Sequence, residues 1–325
     1  MKPHAIVRLA LLLPGLLSGQ TPADRPPIID MHLHAYAPGG ALGGPREASL
    51  APTAAEGFLD AVLLELRRHN VVLALTSGAE RDVAWWHDAA PGVIVGGALF
   101  PCPGGVISAK RTPCSESGTA WPDSALLRAK HRDGRLGFLG EVLGVYAGIA
   151  PADPRFDAYY ALARELDIPV AIHTGAGPER RGPECHCPDW NGALGNPALL
   201  RPILQRYAGL RVLLMHAGGP GFLDETIALM REYPTVYVDL AAIILAWPAE
   251  RLHAWIGAIV DAGFGDRLLF GSDSVFSLSP SLAVLNAIPF LSPMQRRAIL
   301  YDNAARFLRL PPEVIARHHQ SGGPQ

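Results

Sequence analysis

A chain of 325 residues that is 49% hydrophobic can bury a large core, as one big domain or two small ones. Its formal net charge is −2. No basic run or tail offers a footprint for nucleic acid, and no acidic block suggests a solvating tail, so the expected partner is a small molecule.

The amino-terminal end is expected to stand apart from the fold. Lys2 and Arg8 flank an apolar run through Leu17, and Ser18-Gly19-Gln20 places small residues near a plausible cleavage point. Residues 1–20 therefore read as a secretory signal and residues 21–325 as the mature domain, exported to a periplasmic or extracellular space. A membrane span needs about 20 apolar residues, and this run is shorter and broken by Pro14-Gly15, so no stable membrane anchor is expected.

Next comes Ile28-Ile29-Asp30-Met31-His32-Leu33-His34, which reads as a buried strand. Side chains alternate along a strand, which puts His32 and His34 on one face and Ile29, Met31 and Leu33 on the other. Ala54 to His69 has leucines and valines at helical spacing, and Val71 to Leu75 is a short β-branched run. Val93 to Leu99 is the third predicted strand and Leu136 to Val142 the fourth, with a Pro/Gly-rich loop between them. Pro169 to His173 and Arg211 to His216 follow, separated by a helical stretch from Asn196 to Tyr207. Thr235 to Asp239 and Arg267 to Gly271 complete eight apolar runs, with Ala249 to Ala262 as the intervening helix.

Strands alternating with helices imply parallel pairing, and nearly continuous apolar runs imply a sheet covered on both faces. Eight such units predict a (β/α)8 TIM barrel, an α/β fold in a single domain. An open doubly wound sheet is disfavoured because the first turn lacks a G-x-G-x-x-G fingerprint. His32, His34, Glu141, His173, His216 and Asp273 each lie at or just beyond the carboxyl end of a predicted strand, where barrel enzymes assemble their sites.

Asp30-x-His32-x-His34, Ile172-His173-Thr174-Gly175, Met215-His216-Ala217-Gly218-Gly219 and Gly271-Ser272-Asp273, in this order, resemble the motifs of the amidohydrolase superfamily, specifically its amidohydrolase-related branch. Asn303-Ala304-Ala305-Arg306-Phe307-Leu308 resembles that branch's closing helix. The resemblance implies a metal-dependent hydrolase, and the donor chemistry agrees with it. His32, His34, His173 and Asp273 offer nitrogen and oxygen ligands suited to a divalent metal, zinc first, with manganese, iron, cobalt or nickel as alternatives. Zinc can lower the pKa of a bound water from about 16 toward about 7, giving a hydroxide nucleophile whose proton Asp273 could accept. His216 either binds a second metal or polarises the substrate's carbonyl. Asp30 is assigned to orienting an imidazole rather than to metal binding, and Asp239 is left open.

Binuclear relatives often carry a carboxylated lysine on the fourth strand, but Leu136 to Tyr146 contains no lysine and offers Glu141. Glu141 is expected to bridge two metals, to bind substrate beside one, or to be structural, so one or two ions are expected. Cys102 and Cys114 lie in one loop, and Cys185-His186-Cys187 with Trp190 in another. In an exported chain such cysteines are expected in disulfides, with Cys102–Cys114 a reasonable ring and pairing between the loops an alternative. A second metal site at Cys185-His186-Cys187 is the lesser reading.

The functional expectation is hydrolysis of an amide, ester or lactone of a small molecule by attack of a metal-bound hydroxide, with Asp273 and His216 as catalytic residues. The alternative is decarboxylation of an unsaturated or aromatic acid held by Arg180 and Arg181. A catalytically silent metal-binding barrel is the third reading. Self-association is left open.

Overall fold

The structure, a computed structural model, describes residues 25–38, 57–102, 106–107, 112–115, 118–175, 189–219 and 221–320. The expected signal at 1–20, the start of the first predicted helix at 54–56, and Arg180, Arg181, Cys185, His186 and Cys187 lie outside the described residues.

The eight principal strands are β1 (Ile28–Ala35), β2 (Val71–Gly78), β3 (Ile94–Phe100), β4 (Phe138–Val142), β5 (Val170–His173), β6 (Val212–Met215), β7 (Val236–Asp239) and β8 (Leu268–Leu269). Each is followed by a helix: α1 (Phe58–Arg68), α2 (Glu80–Ala89), α3 (Ser124–Arg132), α4 (Asp157–Leu166), α5 (Arg201–Arg206), α6 (Leu223–Glu232), α7 (Ala249–Asp261) and α8 (Leu278–Ala287). Neighbouring strands pair in chain order and in parallel. The ring closes where Met31 N donates to Phe270 O (2.9 Å) and Asp273 N donates to His32 O (2.8 Å). The chain is therefore the expected (β/α)8 barrel, in a single domain.

Local signals account for the helices that wrap it. In α1 the buried residues Phe58, Val62 and Leu66 recur every four positions, so one stripe faces the sheet. Asp123 caps α3 by accepting from Ala125 N and Leu126 N, and Lys130, His131 and Arg132 sit at its carboxyl end, where the helix dipole favours cations. The predicted helix between β5 and β6 is in fact a 3-10 turn, Pro197–Leu200, running into the short α5.

Two apolar layers are distinguishable. Val170, Ile172, Val212, Leu214, Val236 and Val238 pack outward with the helices. The alternate residues Ala171, Leu213, Met215 and Tyr237 pack inward with Ile29, Met31, Phe138 and Leu269. Tyr301, Ala304 and Phe307 join this inner layer. They plug the amino-terminal end of the barrel, where Arg211, just before β6, donates to Phe307 O at 2.7 Å.

The strict alternation expected of β1 fails. Ile29 and Met31 belong to the inner layer, but Leu33 packs outward. The register explains this, because Asp30 to Leu33 on β1 spans the same length as Ala74 to Thr76 on β2. One extra residue in β1 makes a bulge that turns the phase. β4 has the same device: Leu139 to Val142 runs beside Val170 to Ile172 and beside Ala98 to Phe100. Both bulges lie in strands that carry site residues.

Cys102 and Cys114 form a disulfide, separated by 12 residues, buried against Leu99 and Leu143 at the carboxyl ends of β3 and β4. This is the pairing expected within one loop.

Candidate metal centre

All six predicted side chains converge at the carboxyl end of the barrel. His32 Nε2 and His34 Nε2 stand 3.2 Å apart. Asp273 Oδ1 lies 3.2 Å from the first and 3.5 Å from the second. Glu141 reaches this set with Oε2, 3.3 Å from His34 Nε2 and 3.9 Å from His32 Nε2. Its other oxygen, Oε1, accepts from His173 Nδ1 at 2.5 Å and lies 3.5 Å from His216 Nε2. One carboxylate thus stands between two donor sets: His32, His34 and Asp273 on one side, His173 and His216 on the other.

The surrounding chain holds Nδ1 of three of these rings, so that Nε2 of His32, His34 and His216 faces the centre. His32 Nδ1 donates to Asp239 Oδ2 (3.1 Å) and His216 Nδ1 to the Ala241 carbonyl (3.1 Å), while His34 Nδ1 shares a hydrogen bond with Ser77 Oγ (3.1 Å). With Nδ1 carrying the proton, the neutral His32 and His216 rings keep their lone pair at Nε2, the arrangement metal-binding histidines adopt. His173 donates from Nδ1 to Glu141, and its buried Nε2 has no hydrogen-bond partner among the described residues.

Sequence reasoning misplaced one carboxylate. Asp30 does not orient an imidazole; it accepts from Ser272 N (3.0 Å), Ser272 Oγ (2.5 Å) and His32 N (3.1 Å), so it pins the backbone of β1 to the segment after β8. The β1 bulge is the reason, since it breaks the phase linking position 30 to the ring at 32. Asp239, left open by the sequence, takes the orienting place: Oδ2 holds the His32 ring while Oδ1 accepts from His216 N and Ala241 N, both at 3.0 Å. Ser77 and the Ala241 carbonyl were not foreseen either. Both lie at strand ends, but neither residue type carries a ligand signal.

The electrostatics follow from burial and pairing. Burial works against charge on His34, but hydrogen bonds to Asp273 and Glu141 outweigh it and hold the ring up to about 10. His216 is likewise opposed by burial and raised to about 9 by Glu141. Burial opposes ionisation of Glu141 and Asp273, yet the surrounding imidazoles hold both carboxyls well below the usual range. His173 is pushed down, chiefly by burial. Asp30, buried among backbone groups, is raised to about 6.

These groups fit a divalent cation. Two imidazole lone pairs 3.2 Å apart repel unless a proton or a cation lies between them. Ligands of a tetrahedral zinc ion at 2.0–2.2 Å stand about 3.3–3.6 Å apart, close to the 3.2, 3.2 and 3.5 Å that separate the donor atoms of His32, His34 and Asp273. Glu141, His173 and His216 form a second cluster whose ligand atoms lie within 4.8 Å of one another. The nitrogen and carboxylate donors suit zinc, manganese or iron. The chain is built to bind a divalent metal here.

A sequence model of the amidohydrolase family matches residues 29–310. No curated protein matches the chain. Among solved structures, an uncharacterised TIM-barrel protein from Bordetella bronchiseptica is 20% identical and superposes with a TM-score of 0.61, covering 87% of this chain and 98% of that one. A probable 2-pyrone-4,6-dicarboxylic acid hydrolase from Acinetobacter baumannii is 14% identical, with a TM-score of 0.59 over 87% of this chain and 99% of that one. A dihydroxybenzoic acid decarboxylase from Polaromonas, with bound manganese, is 13% identical, with a TM-score of 0.58 over 89% and 99% of the two chains. At these identities the likeness is one of fold.

Proposed function

The chain belongs to the amidohydrolase family, and from that premise we propose that it is a metal-dependent hydrolase opening a small amide, ester or lactone. The observation that carries the reading is Glu141, whose two oxygens face two separate donor sets. A carboxylate so placed suits a pair of ions, with His32, His34 and Asp273 holding one and His173 and His216 the other. We take zinc as the ion on the strength of the donors, and manganese as the second choice. When bound, the metal supplies Lewis acidity toward a carbonyl and an acidified water.

The residues divide the remaining work. Asp273 and His216 keep 13% and 14% of their side-chain surface exposed, against 7% or less for His32, His34, Glu141 and His173. Among these six residues they are the two placed to meet whatever enters the barrel mouth. Asp273, an ionised carboxylate, is the proton acceptor for the attacking water. His216 holds its ring by the Ala241 carbonyl and turns Nε2 toward Glu141, ready to bind the second ion or, with a single ion, to polarise the carbonyl.

A second reading, decarboxylation of an aromatic acid, draws support from the fold shared with the manganese-containing Polaromonas decarboxylase. One experiment separates the readings. Metal-reconstituted protein is assayed against lactones, amides, esters and aromatic acids for hydrolysis and for carbon dioxide, with ions per chain counted in parallel. Hydrolysis with two ions is the expected result. Carbon dioxide release with one ion would overturn it, and a metal-loaded chain silent on every substrate would point to a binding barrel.

A further inference from the structure

Tyr146 lies in the 3-10 turn Gly144–Ala147, directly after the strand that carries Glu141. Its ring meets the His173 ring edge to face, with centroids 4.9 Å apart and planes at 67°. The half-buried phenol lies within electrostatic reach of both the Glu141 and Asp273 carboxylates. Its hydroxyl is not hydrogen-bonded to any described residue.

The turn that carries it is held from both sides. Tyr146 N donates to Leu143 O (3.0 Å) and Ile149 N to Gly144 O (2.9 Å). Asn191 N donates to Val145 O at 3.0 Å, tying the turn to the segment after β5. At Gly148 a Cβ would come within 2.6 Å of Asp189 O, so only glycine lets the two segments approach this closely. The phenol is therefore presented on a fixed backbone beside the metal ligands.

Packing against His173 accounts for an aromatic ring at this place but not for its hydroxyl, since phenylalanine would pack as well. A donor beside two carboxylates must also be neutral. Arginine or lysine here would pair with Glu141 or Asp273 and compete with the metal for them, whereas a phenol donates without adding charge. Preorganised donors act most strongly on an oxygen that gains charge during the reaction. We propose that the Tyr146 hydroxyl donates a hydrogen bond to the substrate's carbonyl oxygen as that oxygen becomes negative, making Tyr146 a catalytic residue. The assignment rests on the hydrolytic reading of the centre.

The test compares metal-loaded wild type with Tyr146→Phe. Loss of one such donor typically lowers kcat by about 10²- to 10³-fold, and here it should leave KM within a few-fold and metal content per chain unchanged. Methylphosphonate, a tetrahedral oxyanion, serves as a probe independent of turnover, and calorimetry should show it binding at least about 10-fold more weakly to the variant. Equal affinity in the two proteins, including binding to neither, overturns the assignment. So does loss of metal from the variant, which would make Tyr146 a support for His173. Failure of the hydrolytic reading looks different, since wild type alone would then yield no hydrolysis product.

Discussion

Asp273 takes up a left-handed backbone conformation (φ 68°), which non-glycine residues seldom adopt and aspartate tolerates better than most. That turn brings Oδ1 within 3.5 Å of two imidazoles while leaving part of the carboxylate exposed. Asparagine would keep one carbonyl oxygen for the metal but cannot take a proton. General base catalysis contributes about 10²- to 10⁴-fold, so Asp273→Asn should lose that much turnover and keep a substantial share of its metal. His32→Ala should instead lose metal affinity itself, as elemental analysis after dialysis would show; equal metal loss in both variants would refute the division. The protonation state of the rings gives a second expectation. His34 and His216 have pKa values raised to about 10 and about 9, so without an ion both rings hold a proton at neutral pH. Metal must displace those protons, hence affinity should rise with pH up to that range and uptake should release protons. Calorimetry in two buffers of different ionisation enthalpy measures the release. The six candidate residues were legible because histidine and carboxylate at strand ends are rare without a use. Asp239 and Ser77 were not, because their partners lie 207 and 43 residues away and only the closed ring brings them together.

At the scale of elements, β4 is the strand whose packing bears most directly on the placement of Glu141. Gly140 sits in its bulge with a positive φ of 157°, and a Cβ there would lie 2.7 Å from Ala171 Cβ and 2.8 Å from Ala171 O on β5. Gly140→Ala should push β4 off β5 and cost about 1–3 kcal/mol, read as a lower denaturant midpoint, with metal content falling as Glu141 moves. Unchanged stability and metal content would show that the bulge tolerates a side chain. The disulfide Cys102–Cys114 closes a ring in the loop after β3, and its sulfur atoms are buried beside Leu143, two residues past Glu141. Closing a loop of about fifteen residues stabilises by roughly 3 kcal/mol in the chain-entropy model, so the double variant Cys102→Ser with Cys114→Ser should unfold at a clearly lower temperature. An unaltered melting curve would refute this. Strand identity was readable from β-branched runs, but the bulges in β1 and β4 were not. A bulge is a mismatch between neighbours, visible only once the register of both strands is known.

For the whole molecule, the barrel was legible from the count and alternation of apolar runs, whereas the manner of its closure was not. β8 is only Leu268–Leu269, and the chain beyond it completes the ring through single hydrogen bonds to β1. One of those bonds joins the backbone of Asp273 to that of His32, residues whose side chains converge on the candidate ion, and the other joins Met31 to Phe270 next to them. The seam of the barrel and its candidate metal centre are therefore one place. Nascent chain lacks the centre until residue 273 has been made, so an ion held there acts as a clasp on a ring that would otherwise breathe at its weakest joint. A ligand present at 100 times its Kd favours the bound form by about 2.7 kcal/mol, which corresponds to roughly 100-fold slower opening-dependent exchange. Amide protons of Met31 and Asp273 should exchange with deuterium that much more slowly once zinc is added, while amides on the opposite wall, such as those of β4 and β5, change less. Uniform protection around the barrel would mean that the ion steadies the fold as a whole instead of fastening its first strand to its last.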